Sequence, residues 1–535
     1  MTTQVPAATV PATTAADRPS SGAPEVPRST SWRVYSAMAF GSVLIGALSI
    51  LYPSTPSYDP WGWLLWGREI IHGSLYTIGY NSFKPLPVLF TVPFALFGKA
   101  QPDLWLVVAR AGAVFAAALA FKLAARLTIW FGASPAGRRG IARVIAYGPA
   151  ILAGAIAALA VLISSQYVRD ATLGYSECLG AGMVLLAIDL HLDDRPRWAF
   201  AIGFIPALDR PEIWLFWGLY GLWLWRRDAG ARKLIVALFV LVPCLWFLPS
   251  LWGSGHLLGG VTRALHPRRN SAAFAKCPFC TEMKAAALLT LTRVKVVAAV
   301  VALGALFVVG RALRRRTGSW RAAAREQAHR PVGIVLALSV MAIIWFIEIS
   351  AMTQYGFSGN NRYLILGGAL VVIIGGVGWG LAAWKLGELI SRWVRPFTGA
   401  VLAVALATLV FLFAPGWVGS QFKLSALNHA MRYQAELRED LATIIKRAGG
   451  AKKIIACGRV QTEDFQKPMV AWYLGLRAVE ANDGRSNLRW RPSRAPNVIL
   501  QTRATGKSAL RPLIPTRVRY TKLRQRTFTL YEHCK

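Results

Sequence analysis

A chain of 535 residues that is 55% hydrophobic and only 16% charged, with a mean hydropathy of +0.41, carries too little charge to cover a soluble protein of that size. The net charge of +36 would ordinarily point to nucleic acid, but the basic residues sit at the ends of apolar runs. Anionic lipid headgroups and phosphates explain them better, so the composition excludes a soluble enzyme and disfavours a nucleic-acid partner.

In chain order, residues 1–33 are rich in Thr, Ala and Pro without an apolar core, and read as a disordered cytoplasmic tail rather than a signal peptide. About eleven apolar runs follow, near 34–53, 104–131, 144–164, 173–190, 198–208, 212–225, 234–252, 293–312, 331–351, 363–384 and 397–416. Most are close to the ~20 residues a bilayer core requires, and the fifth and sixth are short enough to make one broken hairpin. The expected fold class is a polytopic α-helical membrane protein with a small C-terminal α/β domain. Arg138, Arg139, Arg143, then Arg226, Arg227, Arg232 and Lys233, then the run Arg311–Arg330, then Lys385, Arg392 and Arg395 all fall on one side of these spans. The positive-inside rule makes that side cytoplasmic. The expected location is a bacterial inner (plasma) membrane with the N-terminus inside. Residues 34–416 form the membrane domain and 417–535 an extracytoplasmic domain. In that domain SALNHAMRYQAELREDLATIIKRAGG reads as a helix, and KKIIACG, NVILQT and TFTLYEHC as strands.

The outer segment 54–102 opens with SYDPWGWLLWGREIIHG, which fits an amphipathic helix lying in the interface with Trp61, Trp63 and Trp66 at headgroup level. FKPLPVLFTVPFALFG follows, too short and too broken by proline to span. Two such pieces frame a groove where a lipid-linked head would present itself. Cys178 and Cys244 lie in spans, whereas Cys277, Cys280, Cys457 and Cys534 all lie outside, where disulfides persist. Pairs 277–280 and 457–534 are expected. A zinc site built on CPFC is the alternative, and no thioredoxin-like βαβ pattern surrounds that stretch.

The residues Asp59, GREIIHGSLYT, FKPLPVLF, FALFG and LWLVVARAGAVF, taken in that order, resemble the first outer loop of GT-C glycosyltransferases. They are most similar to the branch of the protein O-mannosyltransferases and the lipid A aminoarabinose transferases. VRDATLGYSECL, ALDRPEIW and FSGNNRYLIL are further matches at the outer ends of spans, and the likeness extends over about 34–384. The resemblance implies an enzyme that transfers a sugar, with inversion, from a polyprenyl-phosphate donor to a glycan, lipid or protein acceptor. Asp59 then matches the family's first-loop acid, the base or acceptor-orienting group. Its competing reading is a helix cap, since Asp-Pro starts helices well. The family often has a second acid beside it, where this chain has Pro60, and Glu69 is a candidate substitute. Asp170 matches the acid of the second outer loop. Lys84 matches the lysine of a Lys-Pro-Pro-Leu-like element whose second proline is displaced here to Pro87.

Chemically, displacement at an anomeric carbon needs a carboxylate for the acceptor's proton and cations for the leaving phosphate. Lys84, Arg210 and Arg362 are the phosphate-binding candidates, with His256, Arg268 and Arg269 in a Gly-rich basic loop suited to a lid. Glu177 and Glu212 are secondary acids, cavity-lining or structural. No metal-ligand spacing appears, so the expected cofactor is none, with divalent-metal dependence open. No phosphate-binding glycine motif for nucleotides appears either. Membrane lipids are partners by construction. Two other classes compete: a transporter or flippase for lipid-linked glycans, and a non-catalytic envelope-assembly protein.

Overall fold

The computed structural model describes residues 30–534 except 79–82, 133–139, 268–270, 316–318, 414–423, 483–494, 503–513 and 516–517. The expected disordered tail therefore falls, up to residue 29, outside the described residues. Long helices dominate because the apolar runs are rich in Ala, Leu and Gly and leave no backbone group to be satisfied outside the helix. Helices α4 (Gln101–Trp130), α6 (Gly148–Leu162) and α17 (Ile365–Ile390) make the centre of the bundle, and α1 (Trp32–Leu48) packs along α4 at its edge. They meet through small residues, as membrane helices do. At Gly376 of α17 a Cβ would lie 2.5 Å from the Ala153 carbonyl, so only glycine permits that approach.

Seven described helices are long and apolar enough to cross a membrane, and an eighth if α6 and α7 (Ser165–Thr172), bent 59° apart, count as one span. The expected fourth, fifth and sixth spans are shorter than that. They are α8 (Glu177–Leu192, 16 residues), α9 (Pro196–Ala207, 12 residues) and α10 (Ile213–Arg227, 15 residues). Charge is the reason: Glu177, Asp193, Arg210 and Arg227 punctuate these apolar runs. Helix α8 ends in a buried ion network. There Arg126 lies 3.1 Å from Asp189 and 2.6 Å from Asp193. Lys122 also pairs with Asp189, and the Tyr35 hydroxyl donates to both carboxylates.

Helix α2 (Tyr58–Ile71) and the short α3 (Pro85–Ala95) fill the loop after α1. The tryptophans of α2 do not lie among headgroups. Trp61, Trp63 and Trp66 are 2%, 1% and 0% exposed: Trp61 meets Trp472 and Tyr473 of the C-terminal domain, Trp63 packs against Trp105, and Trp66 packs against Phe83. That domain comprises α19 (Leu424–Arg447), α20 (Ala451–Cys457), α21 (Lys467–Leu474) and a five-stranded sheet. The strands are β1 (Val460–Thr462), β2 (Ala481–Asn482), β3 (Val498–Thr502), β4 (Thr521–Arg524) and β5 (Phe528–Glu532), ordered β2-β1-β3-β5-β4. β1 is parallel to β2 and β3, while β5 is antiparallel to β3 and β4.

KKIIACG is thus not a strand: residues 451–457 form α20, between Gly450 at φ +93° and Gly458 at φ +128°. Only Ile454 in it is fully buried, the one-sided burial of a helix rather than of a central strand. α21 is the docking element. Arg68 donates to the carbonyls of Trp472 (3.0 Å) and Leu476 (2.6 Å), and the Trp472 indole donates to Gln101 (2.8 Å).

Disulfides join Cys277 to Cys280 and Cys457 to Cys534. The second closes a 77-residue loop and ties the end of β5 to α20. By loop-closure entropy it contributes about 4 kcal/mol to the C-terminal domain. Cys534→Ser should therefore make that domain sensitive to limited proteolysis, and unchanged resistance would count against the bridge's contribution.

Glu69 is 5% exposed and turned inward, where it accepts the Tyr76 N–H at 3.0 Å and holds the loop after α2. Burial pushes its carboxyl up to about 7, against the opposing pull of that N–H and of Arg68. A raised carboxyl favours the protonated form in the folded state. Its stability contribution is therefore full below pH 4.5 and lost as pH rises to 7. Glu69→Gln, a neutral isostere, should melt like the wild type at pH 4.5 and higher than it at pH 8, by up to about 3 kcal/mol. Parallel melting curves across that range would refute this.

Candidate active site

The sequence candidates converge at one end of the bundle, around the carboxylate of Glu177. This residue is the first of α8 and is 4% exposed. Its Oε1 lies 3.0 Å from the Lys84 ammonium, 3.3 Å from Arg362 Nε and 3.4 Å from Arg210 Nη1. Its Oε2 is buried with no hydrogen-bond partner among the described residues.

Each cation reaches Glu177 from a different element. Lys84 precedes Pro85, which holds its backbone extended (φ −128°, ψ 119°) at the start of α3. The Leu86 N–H bonds the Leu208 carbonyl, fixing α3 against the α9–α10 turn. Arg210 lies in that turn, with Glu212 oxygens 2.6 and 3.2 Å away and its guanidinium stacked 3.6 Å from the Tyr363 ring centroid. Arg362 lies in a 3-10 turn (Asn361–Leu364) leading into α17, with its guanidinium 4.2 Å over Tyr175. Arg362 also pairs directly with Asp59, in the first turn of α2. Asp59 is not the helix cap. Ser57 occupies that position, tied by its N–H to the Leu173 carbonyl (2.9 Å) and by its hydroxyl to Tyr175 (2.9 Å).

Asp209 joins the cluster, 3.4 Å from Lys84 and accepting the Ser176 hydroxyl at 2.6 Å. Burial alone would lower the pKa of the Lys84 ammonium. The Asp209 and Glu177 carboxylates outweigh it and hold that pKa above the usual lysine value, so Lys84 stays charged. The centre is tightly filled: only about 20 Å³ of open space lies among Glu177, Asp209, Arg210, Arg362 and Tyr363, room for at most a water.

Asp170, on α7, is 2% exposed and accepts the Gln166 amide at 2.7 Å. It does not join the ion cluster. It lines a neighbouring polar cavity that Arg362 also lines. Glu69 is the loop brace described above. His256 is exposed and its backbone bonds with Ser250 and Ser254 of α11 (Arg232–Ser254), away from the cluster. Arg268 and Arg269 lie outside the described residues. Among the described residues no group of three or more His, Cys, Asp or Glu could hold a metal ion. Asp209, Tyr175 and Tyr363 are the participants that sequence reasoning passed over. Each sits next to a residue it had singled out or within a quoted motif: ALDRPEIW, LGYSECL and NNRYL.

No family model matches the chain, and no curated protein matches it in sequence. Solved structures do. ArnT from Cupriavidus metallidurans, bound to undecaprenyl phosphate, aligns over 94% of this chain and 98% of its own, at 14% identity and a TM-score of 0.50. Its apo structure aligns over 93% and 98%, at 15% identity and a TM-score of 0.51. The chain therefore has the fold of ArnT over nearly its whole length.

Proposed function

We propose that this chain is a membrane glycosyltransferase that moves a sugar from a polyprenyl-phosphate donor to an acceptor hydroxyl in one inverting displacement. The observation that carries this reading is the cluster itself: Asp59 paired with a guanidinium that belongs to a set of three cations gathered on Glu177. The ArnT fold, seen elsewhere with undecaprenyl phosphate bound, supports the choice of donor. The N-terminus lies in the cytoplasm, and the site and the C-terminal domain face the opposite side.

In this mechanism the acceptor oxygen bonds to the anomeric carbon as the bond from that carbon to the phosphate oxygen breaks. The acceptor's proton passes to Asp59, and polyprenyl phosphate departs. Lys84, Arg210 and Arg362 meet the charge that grows on the leaving phosphate. These cations are held by protein carboxylates in a nearly closed space, so the phosphate must take the place of Glu177. Drawing Arg362 onto the phosphate also takes a cation away from Asp59. Donor binding then raises the basicity of Asp59 at the moment the acceptor needs it.

Asp59→Asn should abolish transfer while the protein remains folded and still binds undecaprenyl phosphate. Near-wild-type transfer by that variant would end the assignment of Asp59. Glu177→Gln should lower the melting temperature of the empty protein yet tighten undecaprenyl phosphate binding by about tenfold, because the competing carboxylate is gone. Equal or weaker lipid binding would show that the phosphate does not compete with Glu177.

A further inference from the structure

Beside the ion cluster lies a cavity of about 580 Å³, walled by α7, by the segment 271–281 and by the segment 359–362. Its polar lining includes Gln166, Tyr175, Asn360 and Asn361 with the neighbouring charges Arg169 and Asp170, and Arg362, paired with Asp59, forms the wall it shares with the cluster. The cavity is a built feature. The Ser271 hydroxyl accepts the Gly359 N–H at 3.2 Å, and the Phe279 N–H donates to Gln354 at 3.1 Å, so the 271–281 segment is stitched to the bundle. Gly359 is required for that fit. A Cβ there would sit 2.6 Å from Thr353 and 2.8 Å from Ala272.

Resting on the proposed glycosyltransferase reading, we infer that this cavity binds the acceptor and that the acceptor end is a neutral glycan. A sugar hydroxyl donates and accepts at once, and amide, carboxylate and hydroxyl side chains match it in both senses. The volume falls in the ~300–1,000 Å³ range of small-ligand sites, room for a short oligosaccharide and not for a folded protein. An acyl-lipid acceptor would need an apolar wall. Apolar grooves lie instead along α1, α4 and α6, lined by residues such as Val34, Met38, Phe121 and Leu162. Position completes the argument: Arg362 lines the cavity and pairs with Asp59, so a glycan hydroxyl entering from this side arrives at the carboxylate that takes its proton.

The test uses the full chain in lipid nanodiscs. The probes are undecaprenyl phosphate and a panel of methyl glycosides of neutral pentose and hexose di- and trisaccharides, with binding read by saturation-transfer NMR. At least one glycan should bind. Gln166→Ala combined with Asn361→Ala should weaken it at least tenfold while undecaprenyl phosphate affinity changes less than twofold. If the double variant does not fold, either single variant gives the same readout. A panel that does not bind, or glycan binding that survives both substitutions, overturns the inference. So does a phosphorylated glycolipid that binds in place of the neutral glycans and is lost in the variants. Glycan binding lost in the variants of a protein that never binds undecaprenyl phosphate would sustain this inference and remove the proposed donor.

Discussion

The geometry of the site depends on one buried carboxylate meeting three cations. Lys84, Arg210 and Arg362 come from the start of α3, the α9–α10 turn and the entry to α17, and Glu177 is where those segments are brought into register. In a low-dielectric interior such contacts are strong but conditional. Withdrawing one partner strands the others without solvent to compensate them. Helix α8 carries this load between two anchors. Glu177 fixes one end and the Asp189–Asp193 network, held by Lys122 and Arg126, fixes the other. A helix of 16 residues pinned at both ends can neither tilt nor slide far, so the relative positions of the three cations are set before any substrate arrives.

Asp59 is placed by a second, apolar constraint. It stands at the beginning of a helix whose tryptophans are packed into a core shared with the C-terminal domain. The polar clamp from Arg68 to α21 and the tilted contact of Trp61 with Trp472, ring centroids 5.3 Å apart, hold that helix down. The cluster sets the cations and the C-terminal domain sets the carboxylate. The Arg362–Asp59 pair is where the two constraints meet.

Much of this was legible in the sequence because the chemistry sits in short motifs at the ends of apolar runs. Charged residues are expensive there, and Asp59, Lys84, Glu177, Arg210 and Arg362 stood out for that reason. Asp209 was hidden in plain view, since an acid next to Arg210 reads as its ordinary counter-ion. In the structure Glu212 takes that role and Asp209 turns to Lys84. The burial of Trp61 was not legible, because it depends on Trp472 and Tyr473, some 400 positions away, while Trp63 and Trp66 are covered from within the same loop and α4, by Trp105 and Phe83. Hydropathy saw an amphipathic helix and supplied a membrane to cover it. KKIIACG misled for a local reason: a short apolar run fits strand and helix alike, and the two flanking glycines, which here bracket a helix, mark the ends of either. The fifth and sixth apolar runs read as short and are short in α9 and α10, whereas the fourth, drawn from 173, begins only at Glu177 in α8.

The link between Arg68 and the carbonyls of Trp472 and Leu476 spans more than 400 residues of chain. A ribosome delivers the first of these long before the second. During synthesis α2 therefore waits with Trp61 uncovered, and the packing of α2 is completed only after about the last fifth of the polypeptide has emerged and folded. A chain cut short between Arg362 and α21 would carry every charged residue of the cluster and still lack the packing of α2 against Trp472.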